Sequence, residues 1–597
     1  MKRHIILLFL SVLFFINSYA QHKAPNPEIT APEIQHHIEF LASDELRGRL
    51  SGSKEIQIAA NYIKDEFELY GLKPLFGNSY FQEYNFISDV KLSKNNSLSL
   101  IINQSQETKL ELYNDYIPTT FSGKNNVMAD LVFAGYGISA PKLKYDDYEG
   151  LDVKGKVVVV MRNSPEYDKP RSDFDKYSSL RYKATTAKDK GAVGIIFVNG
   201  YMPVDSADGL VKFKFDRAPG AKDFPVVQIK RNFADLLFKS AGLDFSAYQK
   251  EMKENKKPAS FVFKNASANL STEVEEINLI DRNVAGYLEG TDPVLKNEYI
   301  VIGAHYDHLG MGIEGSLYKG KEEKIHHGAD DNASGTAGVM ELAEKFASVK
   351  GLLKRSIIFI TFSGEELGLL GSNYFVNNLP VPENKIVTMI NMDMIGRLRE
   401  KALTVYGMGT SSGWKDLLNK ENIYKFKLAF NDEGFGPSDH SSFYGKGIPV
   451  LFFFTGVHED YHRPTDEAKL INSAGEDSVL HYVYDVTEVI DTMSTKPDYI
   501  KVARKETSGE WKVYAGTVPD MSNTSEGFKL SGVSPGGPAE VAGLKGGDTM
   551  LKFGDRGINN IYDFVYALQD HVPGDVVKVI VKRGTEKLTL TLTLGAK

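Results

Sequence analysis

Short clusters of acidic and imidazole side chains mark the middle of this 597-residue chain. In order they are His305-Tyr306-Asp307, Asp330-Asp331-Asn332, Glu365-Glu366, Asp393 in NMDMIGR, and Tyr461-His462-Arg463-Pro464-Thr465-Asp466. Ser438-Asp439-His440 and His458 lie close to the last of these. Imidazole nitrogens and carboxylate oxygens suit zinc, and a catalytic zinc site keeps one position open for water. A carboxylate shared by two cations, with about three further ligands, suits a two-metal hydrolytic centre.

Apolar runs must position these groups. Tyr299–Ile302, Ser356–Phe362, Lys385–Met392 and Ile448–Phe454 each read as a buried strand, because strands covered on both faces are continuously apolar. Open α/β sheets place their ligands beyond the carboxyl ends of such strands. His305 and Asp307 follow the first run, Glu365 and Glu366 the second, Asp393 the third, and His458 and His462 the fourth. After Gly328–Gly335, helix-spaced Val339, Leu342, Ala343 and Phe346 predict a helix with the acidic pair at its N-terminus. Spacing alone leaves Asp330 and Asp331 equivalent. Each cluster also has an ordinary reading: a polar turn for His-x-Asp, a cap for Asp-Asp-Asn, an answer to the helix dipole for Glu-Glu. Their joint order at strand ends favours the metal reading.

The set resembles the two-zinc aminopeptidases of peptidase family M twenty-eight, relatives of bacterial leucyl aminopeptidase and of glutamate carboxypeptidase. The resemblance covers Ala304–Gly310, Gly328–Gly335, Thr361–Ser372, Asn391–Arg397, Ser438–Phe443 and Tyr461–Asp466. It implies two Zn2+ per chain, with His305 and Asp393 on one, Glu366 and His462 on the other, and Asp331 as the bridge. It further implies Glu365 as general base, Asp307 orienting His305, and Tyr461 beside the oxyanion. The implied activity is removal of N-terminal residues from peptides. The same scaffold also supports carboxypeptidases, single-zinc glutaminyl cyclases, and binding proteins that have lost their ligands.

The rest of the chain sets the context. Apolar residues make up 42% and charged residues 25%, enough for sizeable cores. A net charge of −8 argues against a general nucleic-acid binder. With no cysteine, disulfides and thiolate zinc sites are excluded. Lys2-Arg3-His4, the apolar Ile5–Ile16 and Ser18-Tyr19-Ala20 read as a signal peptide over residues 1–20, cleaved before Gln21. The apolar stretch is shorter than the ~20 residues a membrane span needs. The expectation is an exported bacterial enzyme, periplasmic or secreted, with no transmembrane anchor in the mature chain.

Residues 27–85 read as the N-terminal helical part of the peptidase domain, with Ile34, Ile38 and Leu41 on one face and Ile56, Ala60, Ile63 and Phe67 on another. Arg47 and Arg49, in LASDELRGRLSGSKE, read as solvated surface side chains, with substrate contact as the alternative. Residues 86–275 are rich in short strand signals and resemble a protease-associated (PA) domain through Gly135-Tyr136-Gly137, Asp146-Asp147-Tyr148 and Gly155-Lys156. Residues 276–497 form the expected zinc peptidase catalytic domain. From 500 to 597 the sequence resembles a PDZ domain, through Ser534–Ala539, Gly546-Gly547-Asp548 and a helix at Ile561–Leu568. The predicted fold class is therefore α/β: a mixed, largely parallel sheet flanked by helices (the zinc exopeptidase fold), with a β-rich PA domain inserted and a PDZ domain at the end. Peptide substrates are the expected partners, with a peptide or protein ligand for the PDZ domain.

Overall fold

Four of the apolar runs become neighbouring parallel strands, in the spatial order Ser356–Phe362, Tyr299–His305, Ile386–Met392, Val450–Phe454. The computed structural model describes residues 27–103, 106–169, 171–202, 208–220, 222–502, 513–520 and 527–596. The expected signal peptide and its cleavage point at Gln21 lie outside the described residues. Ser356–Phe362 and Ile386–Met392 are buried along their whole length, as strands covered on both faces must be. His305 stands opposite Phe362, and Gly303 opposite Asn391, so the carboxyl ends of the strands open along one edge. Antiparallel strands Val274–Leu288 and Ala402–Tyr406 flank the parallel centre, in a sheet of nine strands among the described residues. The fold is thus the mixed, largely parallel α/β sheet that the apolar runs predict.

Helices cover both faces. Ile34, Ile38 and Leu41 of Ala31–Leu41, and Ile56, Ile63 and Phe67 of Lys54–Leu69, share one core with Val339, Leu342 and Phe346 of Gly335–Ser348. The first helices of the chain therefore close a core whose strands arise more than 200 residues later. No helix among the described residues is long and apolar enough to cross a membrane.

One local expectation is corrected. Asp330 and Asp331 do not sit at the start of a regular helix. Asp331 (φ −107°, ψ 94°) and Asn332 (φ −133°, ψ 47°) are non-helical, and the regular helix begins at Gly335. Side chains hold this turn: Asn332 accepts from the Gly335 N–H (2.9 Å) and donates to the Met392 carbonyl (3.0 Å). Asp330 accepts from the Gly396 N–H (2.7 Å). Such side-chain bonds to nearby backbone compete with helix, and here they win.

Two further large sheets lie outside this one among the described residues. One, with eight strands among the described residues, has Val157–Met161, Gly194–Val198 and Val226–Ile229 as parallel, fully buried strands. Phe81–Leu92 and Val274–Leu288 pair antiparallel, so the chain leaves the nine-stranded sheet and returns to it along a single ribbon. The C-terminal sheet has six strands among the described residues, beginning with Thr517–Pro519 and Phe528–Val533. Its helix Ile561–Gln569 docks on the inserted domain: Tyr566 meets Ser179 (2.8 Å) and Asp563 accepts from Thr185 (2.9 Å). Arg217 of the inserted domain reaches Glu314, in the loop beyond His305, at 2.6 Å.

Candidate metal centre

Asp331 is the centre of the site. Its Oδ1 lies 3.4 Å from His305 Nε2, and its Oδ2 lies 3.2 Å from His462 Nε2. His305 Nε2 is also 3.4 Å from Asp393 Oδ2, and His462 Nε2 is 3.3 Å from Glu366 Oε2. Two ligands each ~2.0–2.1 Å from a tetrahedral ion stand ~3.3 Å apart, so these spacings are those of ligand pairs rather than of hydrogen bonds. Both rings are aimed by their other nitrogen: His305 Nδ1 faces the Asp307 carbonyl at 3.2 Å, and His462 Nδ1 the Gly315 carbonyl at 3.0 Å. An N–H donated there leaves each Nε2 lone pair pointing at the carboxylates.

The cluster calls for positive charge. Asp307, Asp331, Glu365, Glu366 and Asp393 are all buried or largely buried around it. Burial raises the Glu365 and Glu366 carboxyls well above the ordinary range. Burial opposes protonation of His305, yet Asp393 and Glu365 drive it well upward. Asp393 Oδ1 is buried with no hydrogen-bond partner. Buried carboxylates without counter-charge are costly, and this donor set of imidazole and carboxylate fits zinc. Among the described residues, those that could hold an ion form two groups, one of His305, Asp331 and Asp393 and one of His308, Asp331 and Glu366.

A frame of buried groups holds these side chains. Asp307 accepts from the Glu365 N–H (3.1 Å), the Glu366 N–H (3.3 Å) and the Ser51 hydroxyl (3.0 Å). Its carboxylate thus ties the His305 loop to the Glu365-Glu366 turn. Asp466 accepts from the N–H groups of Asp330 (2.9 Å) and Asp331 (3.1 Å). Tyr461 stacks on the His462 ring, with centroids 3.8 Å apart. His458 pairs with Asp330 at 3.0 Å and His440 stacks on Phe452, so neither imidazole joins the group around Asp331.

Arg49 overturns its surface reading. It is fully buried and donates to the carbonyls of Leu41, Tyr306 (2.8 Å), His327 (2.8 Å) and Gly328 (2.9 Å). The cause is the chain path: Arg47, Gly48 and Arg49 are all left-handed, which folds the segment inward. Arg47 stays exposed. Burial lowers Arg49 to about 10, while Asp307, Asp331, Asp466 and Glu366 oppose the fall, so it is charged at neutral pH.

Residues 283–487 match the family model of Peptidase family M28. This domain belongs to peptidase family M28. Residues 127–237 match the PA domain and residues 519–594 the PDZ domain. The chain is 26% identical over 354 residues to aminopeptidase YwaD of Bacillus subtilis (strain 168), covering 56% of this chain and 63% of the relative. It is 29% identical over 206 residues to leucine aminopeptidase 2 of Trichophyton rubrum, covering 32% and 38% respectively. The chain therefore spans less than two thirds of these relatives' own length. Among solved structures, an aminopeptidase from Aneurinibacillus sp. strain AM-1 aligns with 81% of this chain and 97% of its own, at 23% identity and a TM-score of 0.44.

Within the M28 domain, His308 is the residue that motif reading missed. It follows Asp307 directly, and that adjacency is the signal that could have found it. His308 Nδ1 is 2.8 Å from Glu366 Oε1 but 3.8 Å from Asp331 Oδ2. The first distance is a hydrogen bond and the second is too long for a ligand pair, whereas His462 has two spacings of ligand length. His308 is therefore placed to orient Glu366, while His462 has the spacings of a ligand to both Asp331 and Glu366. Burial lowers His308 to about 3, so the ring is neutral and can donate only one N–H. His308→Leu is expected to weaken zinc binding by about 10–100-fold, with His308→Gln, which can still donate, losing less. Zinc titration against a competing chelator checks this.

Proposed function

We propose that the chain is an exported metallo-aminopeptidase with two zinc ions per chain. The single observation that carries this is the placing of the two Asp331 oxygens, each facing the Nε2 of a different histidine at 3.4 and 3.2 Å. His305 and Asp393 would hold one ion, Glu366 and His462 the other, and Asp331 both. Zinc there would make water nucleophilic at neutral pH and polarise the scissile carbonyl. Glu365, beside His305 at 4.0 Å, takes the proton of the attacking water and returns it to the leaving amine. The Tyr461 hydroxyl donates to the carbonyl oxygen as negative charge develops. Aminopeptidase action, rather than the carboxypeptidase alternative, is supported by the names of the relatives at 26–29% identity. We divide the chain into residues 27–85 plus 276–497 as the catalytic unit, 86–275 as the PA unit and 500–597 as the PDZ unit. The export reading rests on the residue order of 1–20.

With zinc present, peptides with a free amino terminus are expected to lose residues one at a time from that end. N-blocking should abolish cleavage and C-blocking should not. A peptide digest followed by mass spectrometry checks this, and chelation should stop it. Release from the carboxyl end would overturn the reading.

A further inference from the structure

Between the strand that ends at His305 and the turn at Asp331, the chain runs from Tyr306 to Gly328 without a regular helix or strand. Connections that long are uncommon in compact domains and are usually functional. Residues 311–325 have no buried member, so this loop owes its path to a few polar ties rather than to a core. Two of those ties end on His462. The Gly315 carbonyl accepts from His462 Nδ1 at 3.0 Å, and the His462 carbonyl accepts from the Leu317 N–H at 2.9 Å. His462 is itself left-handed (φ 54°), a conformation that such a residue keeps only where its surroundings fix it.

A third tie comes from another domain. Glu314, next to Gly315, accepts from Arg217 Nη2 (2.6 Å) and Nε (3.0 Å), and its other oxygen lies 3.8 Å from Lys214 Nζ. Arg217 and Lys214 belong to the PA domain. Arg217 is anchored in turn. Its neighbour Asp216 accepts from Nε (2.5 Å) and Nη2 (2.6 Å) of the buried Arg181, a two-point pairing that fixes direction as well as distance. Arg181 also donates to the carbonyls of Ala218 (3.1 Å) and Pro219 (3.0 Å), and its guanidinium lies 5.3 Å from the ring centre of Tyr562 on the PDZ helix. A partly exposed pair such as Arg217–Glu314 adds little to overall stability. Its effect is on where the loop stands, and with it the Gly315 carbonyl.

We propose that Glu314 is a positioning residue for His462, and that Arg217 makes the ion held by His462 and Glu366 depend on the docked PA domain. This rests on the two-metal reading. When the pair is broken the loop is released, the His462 ring loses the acceptor that aims its Nε2, and the ion on that side is held less tightly. On the other side, His305 Nδ1 faces the Asp307 carbonyl within its own chain segment, so that ion binds as before.

The test is a zinc titration of the full-length protein against a competing chelator, resolving two binding steps. In Glu314→Ala and in Arg217→Ala one step is expected to weaken about tenfold, the lower end of what the outer partners of a metal site contribute, and the other to stay at the parent value. The double variant should lose no more than either single one, because the same pair is broken in all three. Arg217→Lys keeps a charge near Glu314 and should lose less. Glu323→Ala, exposed in the same loop, should lose nothing. If Glu314→Ala does not fold, Glu314→Gln is titrated in its place and the same loss is expected. Folded variants that bind both ions as the parent does overturn the positioning role and leave the two-metal reading standing. Losses that add in the double variant overturn the link to the PA domain. A parent chain that binds fewer than two ions overturns both.

Discussion

Glu365→Gln is expected to cut turnover by about 10²–10⁴ while zinc content stays near that of the parent chain. An amide fills the space of the carboxylate but cannot accept the proton of the attacking water. Glu365 faces His305 only at 4.0 Å, so no ligand pair is broken. Glu366→Gln should behave differently. Its Oε2 lies 3.3 Å from His462 Nε2 and its Oε1 accepts from His308 at 2.8 Å, so a neutral amide there loosens one metal site. Metal analysis of both variants beside steady-state kinetics separates the two roles. Loss of zinc in Glu365→Gln with both ions kept in Glu366→Gln would reverse them.

The largest effect on stability is expected from Arg49→Met. Methionine fills part of the volume but leaves four buried carbonyls without their donor, at ~1–3 kcal/mol for each group left unsatisfied. It also removes the cation that faces Asp307, Asp331, Asp466 and Glu366. Relaxation recovers part of this, so a net loss of about 3–5 kcal/mol is expected, the usual result of breaking a buried charge network. That corresponds to a melting temperature lower by roughly 10 °C. Arg49→Lys keeps the charge but not the fork of donors, and should fall between. Thermal melts with zinc present check the order, and a Met variant melting within about 2 °C of the parent would refute it.

Much of this arrangement was legible in the sequence because its signals are local. A β-branched run ending in His305 or Asp393 declares a buried strand and a polar end within a dozen residues. Helix spacing in Ile56, Ile63 and Phe67 predicted the buried face they form. What could not be read depended on partners distant in the chain. Nothing near Arg49 announces that its acceptors are Tyr306, His327 and Gly328, so its composition suggested solvent. The turn at Asp331 escaped for the same reason. Its non-helical path is held by Asn332 bonding to Met392 and by Asp466 accepting two N–H groups, contacts that spacing along the chain does not reveal. His308 was adjacent to a named residue, yet its role appears only once Glu366 is brought beside it.

The burial of Arg49 also has a consequence in time. During synthesis the chain emerges from its amino end, at about 5–20 residues per second. Arg49 is made early, but the carbonyls it binds belong to residues near 306 and 328, and His462 is made later still. Roughly 400 residues separate Arg49 from His462, so on the order of 20–80 s passes between their appearance. Until then the segment around Arg49 has no loop to clasp and the cluster around Asp331 lacks its last imidazole. The proposed catalytic unit is thereby incomplete on the growing chain until its two ends have met.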